Sequence, residues 1–233
     1  MGKRIIQQAR GKGGGTYRVR RKAFRFSIKY PPRLEGEGEV IKLLDSGGHS
    51  APLAKIKWKE GSFYIPAPNK LFEGQKINFT KKEKVESGDI LMLKDIPLKT
   101  KICCIESRPG DGGMFIKSGG SHGEISKVVG EDVYVLMPSK KEKKFQGICR
   151  AVVGVVAGSG RLEKPVIKAG KKYHIKKSKG KLWPRTSAVK MNAIDHPFGS
   201  GRGKNPKSKV PKRNSPPGRK VGLLRAKKTG KKK

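Results

Sequence analysis

The sequence predicts an all-β protein with a core of small barrels and two long basic arms, one at each end. Two observations support this prediction. Positive charge is concentrated at the two ends of the chain, where apolar residues are scarce. The segment between them consists of short runs of β-branched and apolar residues separated by Gly, Pro, Asp or Ser, which is the pattern of a protein built from short strands.

The distribution of charge sets the limits of the arms. Residues 1–33 contain 11 Lys or Arg and no acid, and residues 171–233 contain 22 and one acid, Asp195. Residues 34–170 contain 23 against 17 acids, the mixture expected of a folded domain. A formal net charge of +38 disfavours a compact free state unless a polyanion neutralises it, and nucleic acid is the expected partner.

A membrane is a weaker candidate for that partner. The chain contains no apolar run near the roughly 18 residues that cross a bilayer. Its first residues, MGKRIIQQARGKGGG, are basic but lack the apolar stretch of a signal peptide. We therefore expect a cytoplasmic protein with no membrane partner.

The middle segment is predicted to form two barrels in series, divided near Lys94–Pro97. Ala54, Ile56 and Trp58 alternate with lysines, as on a strand with one buried face. No helical period is present in the core, and closure into barrels would remove exposed sheet edges. The predicted strands are residues 39–44, 51–59, 62–65, 75–80, 90–93, 101–106, 123–129, 132–137 and 147–156. The predicted domains are an arm at 1–33, barrels at 34–95 and 96–170, and an extended arm at 171–233.

The three cysteines have no C-x-x-C spacing, which favours buried reduced thiols over disulfides or a zinc site. The loop Arg-Pro-Gly-Asp-Gly-Gly at 108–113 has two interpretations. Its glycines would let the backbone approach RNA phosphates, with Arg108 adding charge, or the loop would be an ordinary β-turn. In the N-terminal arm, cations are interleaved with Tyr17, Phe24 and Phe26, which would stack on bases or, for the two phenylalanines, pack on the core.

The segment Met191–Gly199 differs in composition from the basic arm around it. It contains the arm's acid Asp195, its second histidine His196 and its single phenylalanine Phe198. This predicts an ordered docking point, at which His196 would bond a phosphate or base edge and Asp195 a base amine or ribose hydroxyl. An Asp-His general base is the alternative, but adjacent residues of an extended chain point in opposite directions and no nucleophile is near.

The tail at 201–233 is interrupted by Gly and Pro every few residues, so no long helix or strand is expected in it. It cannot bury enough apolar surface to offset the entropy lost on ordering. We predict that the tail is disordered in the free chain and extended on RNA, with its last lysines remaining in solvent.

Six motifs occur in order along the core and the C-terminal arm. They are HSAPLAKIKW at 49–58, IPAPNKLFEGQKI at 65–77, SRPGDGG at 107–113, CRAVVGVVAGSGRLEKP at 149–165, MNAIDHPFGSG at 191–201 and PPGRKVGLLRAKKTG at 216–230. With these motifs the chain resembles the universal large-subunit ribosomal protein family L-two. With Phe198, the fifth motif resembles the archaeal and eukaryotic version of that family's sequence.

The resemblance implies an OB-like barrel followed by an SH3-like barrel, with arms that thread into large-subunit rRNA. It implies a chain that is not an enzyme and that supports subunit association, tRNA placement and the peptidyl transferase region, to which His196 would lie nearest. The implied partners are large-subunit rRNA, neighbouring ribosomal proteins and the small subunit across an intersubunit bridge, with no homo-oligomer. No cofactor or protein metal site is expected, apart from RNA-bridging magnesium or potassium.

The residues expected to bind RNA come from these motifs and from the basic arms. They are Arg4, Arg10, Lys12, Arg18, Arg20, Arg21, Arg25, Arg108, Arg150, Arg161, Arg185, Lys190, Asn192, Asp195, His196, Arg202, Lys204, Arg213, Arg219, Lys220 and Arg225.

Two other functions fit parts of the sequence. A chromatin or general DNA-binding protein would have similar basic tails, but a β-core with Gly-rich loops is not a groove-reading helical module. An RNA hydrolase built on Asp195 and His196 would need a second carboxylate, a metal site or a positioned base, and the sequence offers no such set.

Overall fold

The computed structural model of the chain describes residues 2–80, 85–200 and 210–223. They divide into two compact units. We call Arg20–Lys168 the core unit, and the described residues up to Val19 together with those from Ala169 onward the arm unit. In the parts described, no helix is long and apolar enough to span a membrane.

The core unit contains two antiparallel sheets, which confirms the all-β prediction and is consistent with an OB-like and an SH3-like barrel. The first has the order β3-β2-β1-β4 and the second the order β5-β10-β6-β7-β8-β9. The strands are β1 (Glu37–Leu44), β2 (Leu53–Trp58), β3 (Gly61–Pro66), β4 (Lys76–Asn78), β5 (Ile90–Met92), β6 (Lys101–Cys103), β7 (Gly123–Val129), β8 (Asp132–Leu136), β9 (Glu142–Gln146) and β10 (Arg150–Val153).

Two apolar clusters form the core of this unit. The first joins side chains of the first sheet, such as Val40 and Ile56, to Val152 on β10. The second lies along the second sheet and includes Ile125 and Phe145. Burial of such side chains contributes roughly 1.5–3 kcal/mol each, which makes these clusters the main stabilising element of the fold. The three cysteines are buried and free, as predicted, and burial raises the pKa of Cys104 to about 12.

The strand predictions are confirmed in position, with ends that differ by a few residues. One strand was missed, β9, because its sequence EKKFQ places a single apolar side chain, Phe145, toward the core. Its exposed lysines are typical of an edge strand that avoids pairing with another chain. The predicted division near Lys94–Pro97 stays a prediction, but β5, which precedes it, pairs with β10 in the second sheet.

The segment before β1 lies in the core unit. Tyr30 is fully buried, and its hydroxyl donates to the backbone oxygen of Arg150 at 3.0 Å. Leu34 is also buried, and the Arg150 guanidinium donates to the carbonyl oxygens of Pro32 and Leu34 at 2.9 and 3.4 Å. Charge alone placed Tyr30 and Pro32 in the N-terminal arm of residues 1–33 and Leu34 in the first barrel, and these domain limits stay a prediction. The two large apolar side chains of this segment give it enough surface to bury, so it folds with the strands.

Short helices interrupt the arms that the sequence predicts to be extended. They are α1 (Ile6–Gly11) and α2 (Ala169–Ser178). Ala, Gln, Lys and Arg, which favour helix, make up four of the six residues of α1 and five of the ten of α2, and neither helix contains proline. No residue of α2 is buried, so its stability does not come from an apolar face.

Candidate nucleic-acid interface

Most cations predicted to bind RNA have exposed side chains. Those exposed in the arm unit are Arg4, Lys12, Arg18, Arg185, Lys190, Arg213, Arg219 and Lys220, and those exposed in the core unit are Arg20, Arg21, Arg25, Arg108 and Arg161. Arg10 and Arg150 are half-buried, Asn192 and Asp195 are exposed and His196 is buried, while Arg202, Lys204 and Arg225 lie outside the described residues. Exposure leaves these cations able to reach phosphates, and their roles in RNA binding stay a prediction.

Residues 191–200 form a closed loop in the arm unit. The N–H of Ser200 donates to the carbonyl oxygen of Met191 at 3.0 Å and joins the two ends of the loop. Two further N–H groups of the loop donate to the carbonyl oxygen of Asn192, at 3.0 and 3.2 Å. Gly199 lies so close to Asn192 that an added Cβ would be 2.2 Å from its carbonyl oxygen. The loop therefore requires glycine at that position.

His196 is buried within this loop, with 6% of its surface exposed. Its Nδ1 accepts the N–H of Phe198 at 3.0 Å, and the two rings meet edge to face with their centroids 5.1 Å apart. Burial lowers the pKa of His196 from its ordinary value of 6.5, so the ring is neutral near pH 7. Because Nδ1 is an acceptor, the proton is on Nε2, which has no hydrogen-bond partner within residues 2–80, 85–200 and 210–223.

The N-terminal segment packs against this loop. The N–H of Lys3 donates to the carbonyl oxygen of Ile194 at 2.8 Å, and Lys3 Nζ lies 4.0 Å from the Asp195 carboxylate. Ile5 is 6% exposed, in a unit whose residues are mostly exposed. Sequence reasoning missed this contact because it joins the two ends of the chain. Ile5 and Ile6 were the available signal, as an apolar pair within a basic segment.

These segments and the C-terminal tail line a half-open cavity of about 880 Å³ in the arm unit. Its basic lining residues are Lys3, Arg4 and Arg219. Ile5 contributes to an apolar wall, and His196 also lines the cavity. The described lining residues include no acid. The site is therefore concave, positively charged and partly apolar.

The Gly-rich loop at 106–113 of the core unit directs its N–H groups inward. Glu106 is 1% exposed, and its Oε1 accepts the N–H groups of Gly110 and Gly112 at 3.1 and 3.3 Å. Its Oε2 accepts the N–H of Arg150 at 2.8 Å. Burial raises the pKa of Glu106, although these N–H bonds oppose the change. Sequence reasoning missed Glu106, because nothing in the sequence distinguishes a buried carboxylate from an exposed one.

Asp111 closes the other side of that loop. Its Oδ2 accepts the N–H groups of Ser107 and Arg108 at 2.7 and 3.1 Å. A Cβ added to Gly112 would be 2.2 Å from Lys29 Cγ, so this glycine allows the loop to approach its own chain. This favours the β-turn interpretation of the glycines. The Arg108 side chain is exposed and remains a predicted RNA contact.

Two arginines that are predicted to bind RNA donate hydrogen bonds within the protein. Arg161 donates to the carbonyl oxygen of Gly119 at 3.5 Å, and Arg150 donates to the carbonyl oxygens of Pro32 and Leu34.

The two phenylalanines of the basic segment contact aromatic rings of the core unit. Phe24 packs edge to face on His49, and the ring centroids of Phe26 and Tyr64 are 4.8 Å apart. Phe26 therefore packs on the core, whereas Phe24 has one ring contact and remains 45% exposed, so stacking of Phe24 on a base stays a prediction.

Comparison with known proteins identifies the family. A family model described as "Ribosomal Proteins L2, C-terminal domain" matches residues 86–217, which include the second sheet and the loop at 191–200. A protein named "Large ribosomal subunit protein uL2" from Archaeoglobus fulgidus is 46% identical, and the match covers 99% of both chains. The chain belongs to the uL2 family. The resemblance drawn from the six motifs is thus confirmed.

Two further members of the uL2 family match over a similar length. The protein of that name from Methanococcoides burtonii is 42% identical over 99% of this chain and 100% of its own. The one from Methanothermobacter thermautotrophicus is 41% identical, with 99% of each chain covered. All three relatives are archaeal, in agreement with the type that Phe198 indicated.

Proposed function

We propose that this chain is a structural protein of the large ribosomal subunit and binds its rRNA in the cytoplasm. The observation that carries the proposal is the nearly full-length similarity to relatives named as large ribosomal subunit proteins. The exposed cations of both units support it, because phosphate contacts supply most of the affinity of such proteins for nucleic acid.

The proposed partners are large-subunit rRNA, neighbouring ribosomal proteins and, across an intersubunit bridge, the small subunit. The chain acts in this setting as a single copy. Its arm unit supports tRNA placement and the peptidyl transferase region, with His196 as a positioning residue. Magnesium or potassium would be held at the RNA surface between phosphates and the protein. In the described residues, no cluster of His, Cys, Asp and Glu forms a protein metal site.

The proposed function is not enzymatic. A general base at His196 would need an unprotonated nitrogen that is free to take a proton, and a carboxylate to orient the ring. His196 Nδ1 is occupied by the N–H of Phe198 and Nε2 carries the ring proton, while the Asp195 carboxylate is near Lys3 at the surface of the loop. We therefore expect no RNA cleavage by the purified chain, and cleavage that is lost in His196→Ala would contradict the proposal.

Sedimentation tests the proposal directly. The tagged full chain is followed through a sucrose gradient of cell lysate, before and after a high-salt wash. Co-migration with the large subunit after the wash is the expected result, because an integral ribosomal protein stays bound to the subunit in high salt. Recovery at the top of the gradient, or with DNA, would contradict it and favour a general nucleic-acid binder.

A further inference from the structure

The cavity of the arm unit has the size and the lining of a site for one nucleotide. Its volume of about 880 Å³ falls within the roughly 300–1,000 Å³ of pockets that bind small molecules. The cavity is lined by the N-terminal segment with α1, by the loop at 191–200 and by residues 217–219 of the tail. The size of the cavity therefore suits one nucleotide whose base is unstacked from its neighbours in an RNA strand.

The charges of the cavity favour an anionic occupant. Arg4 and Arg219 lie on its lining, and both are exposed and available to a phosphate. Lys3 adds a third cation, although part of its charge is offset by Asp195. These charges would repel a cationic occupant and would attract an anionic one.

The remaining walls favour a base over a free phosphate. Ile194, which is 52% exposed, and Pro197 present apolar surface on which a base can lie. His196 supplies a hydrogen-bond donor at Nε2, because its Nδ1 is held by Phe198 and its pKa is lowered by burial. A neutral imidazole with a fixed tautomer can donate to a base carbonyl, a ring nitrogen or a ribose hydroxyl.

We propose that this cavity binds one unpaired nucleotide of large-subunit rRNA, with its phosphate on Arg4 and Arg219 and its base against Ile194 and Pro197. His196 Nε2–H donates to an acceptor on that nucleotide. The N-terminal segment thus forms one wall of the site, and His196 is held for recognition. The inference rests on the proposed function, because it requires the chain to lie in the large subunit.

The test fills the cavity without removing a charge or a buried side chain. Ala193 lines the cavity and is exposed, so Ala193→Trp obstructs it and leaves the loop bonds in place. Ala169→Trp is the matched control, at an exposed position that begins α2 and does not line the cavity. Large subunits that carry each full-length variant are purified and treated with a 2′-hydroxyl acylating reagent, and reactivity is read at every rRNA nucleotide.

The expected result is one nucleotide whose ribose is protected in the wild type and in Ala169→Trp, and becomes several-fold more reactive in Ala193→Trp. Identical profiles for both variants would overturn the inference. If Ala193→Trp does not enter subunits, Arg219→Gln takes its place, since an exposed arginine is not needed for folding, and the same nucleotide must respond. Wild-type chain that is absent from large subunits would refute the proposed function itself, a result that the gradient distinguishes from an unchanged profile.

Discussion

The two glycine-bearing loops of this protein, 106–113 and 191–200, are closed by different groups. In the first, two carboxylates of the loop collect its N–H groups, and one of them, Glu106, is 1% exposed. In the second, backbone carbonyl oxygens and His196 Nδ1 accept the N–H groups, and the buried side chain is a neutral imidazole. The first loop has its backbone N–H groups paired within the protein, whereas the second retains a donor on its buried side chain for a partner. Glycine in a loop therefore does not indicate RNA contact until the destination of the N–H groups is known.

The two tryptophans allow the loops to be compared within one chain. Trp58 is on β2 in the core unit, and Trp183 is in the arm unit. Chains that carry Trp183→Phe or Trp58→Phe therefore report by fluorescence on the unfolding of one unit each. All experiments below use these two full-length backgrounds.

Removal of the buried carboxylate should have the largest effect. Glu106→Ala leaves the N–H groups of Gly110, Gly112 and Arg150 without acceptors, so we expect the free energy of unfolding of the core unit to fall by about 3–5 kcal/mol. Urea unfolding followed at Trp58 measures it. Glu60→Ala, at an exposed carboxylate of the β2–β3 turn, is the control. A loss equal to that of the control would show that the loop does not depend on Glu106.

A matched pair of glycine substitutions should separate the two loops. Gly112→Ala and Gly199→Ala each place a Cβ 2.2 Å from another atom, and Gly112 also has a φ of +76°. We expect each substitution to lower the free energy of unfolding by roughly 2–3 kcal/mol. Fluorescence of Trp58 measures the effect of Gly112→Ala, and fluorescence of Trp183 measures that of Gly199→Ala. Gly170→Ala, where nothing lies within 4 Å, should have no destabilising effect. If Gly112→Ala and Gly199→Ala each affect both tryptophans equally, the loops do not belong to separately stabilised units.

The second loop should weaken in acid because of His196. Its pKa in the folded chain is below the ordinary value of 6.5, so the unfolded chain binds the proton first as the pH falls. Above pH 6.5 the stability of the arm unit should therefore not depend on His196. Below pH 6.5 it should decrease by at most about 1.4 kcal/mol per pH unit, until the pH reaches the pKa of His196 in the folded chain. NMR titration of the His196 ring gives the pKa, and His196→Gln should remove this dependence. A ring that titrates above 6.5 would contradict the burial argument.

The smallest effect is expected at the surface pair beside that loop. Lys3 Nζ and the Asp195 carboxylate are 4.0 Å apart, with 76% and 48% of their side-chain surfaces exposed. Lys3→Ala should change the stability of the arm unit by less than about 0.5 kcal/mol, because exposed pairs contribute little. The backbone bond from Lys3 to Ile194 remains in this variant, and protection of that N–H in hydrogen exchange should persist. Loss of this protection would mean that the ion pair, and not the backbone, holds the N-terminus.

The sequence predicts the strands well because burial on one face leaves a direct record in the alternation of residues, as at Ala54 and Ile56. It fails for β9, where one apolar side chain carries the strand, and for α2, which has no apolar face. Composition located the loop at 191–200, since one acid, one His and one Phe stand out among cations. It could not locate Ile5 beside that loop or Glu106 under the other, because both depend on contacts between distant parts of the chain.

The long-range contacts of the core unit also determine when it can finish folding during synthesis. Tyr30 bonds backbone oxygens at positions 104 and 150, and Arg150 returns to the carbonyl oxygens of Pro32 and Leu34. These contacts span 74 to 120 residues, so those made with Arg150 cannot form until β10 has left the ribosome that is making the chain. At roughly 5–20 residues per second, a nascent chain spends several seconds without the Arg150 contacts. Each new copy therefore completes the hydrogen bonds of this segment only after Arg150 emerges.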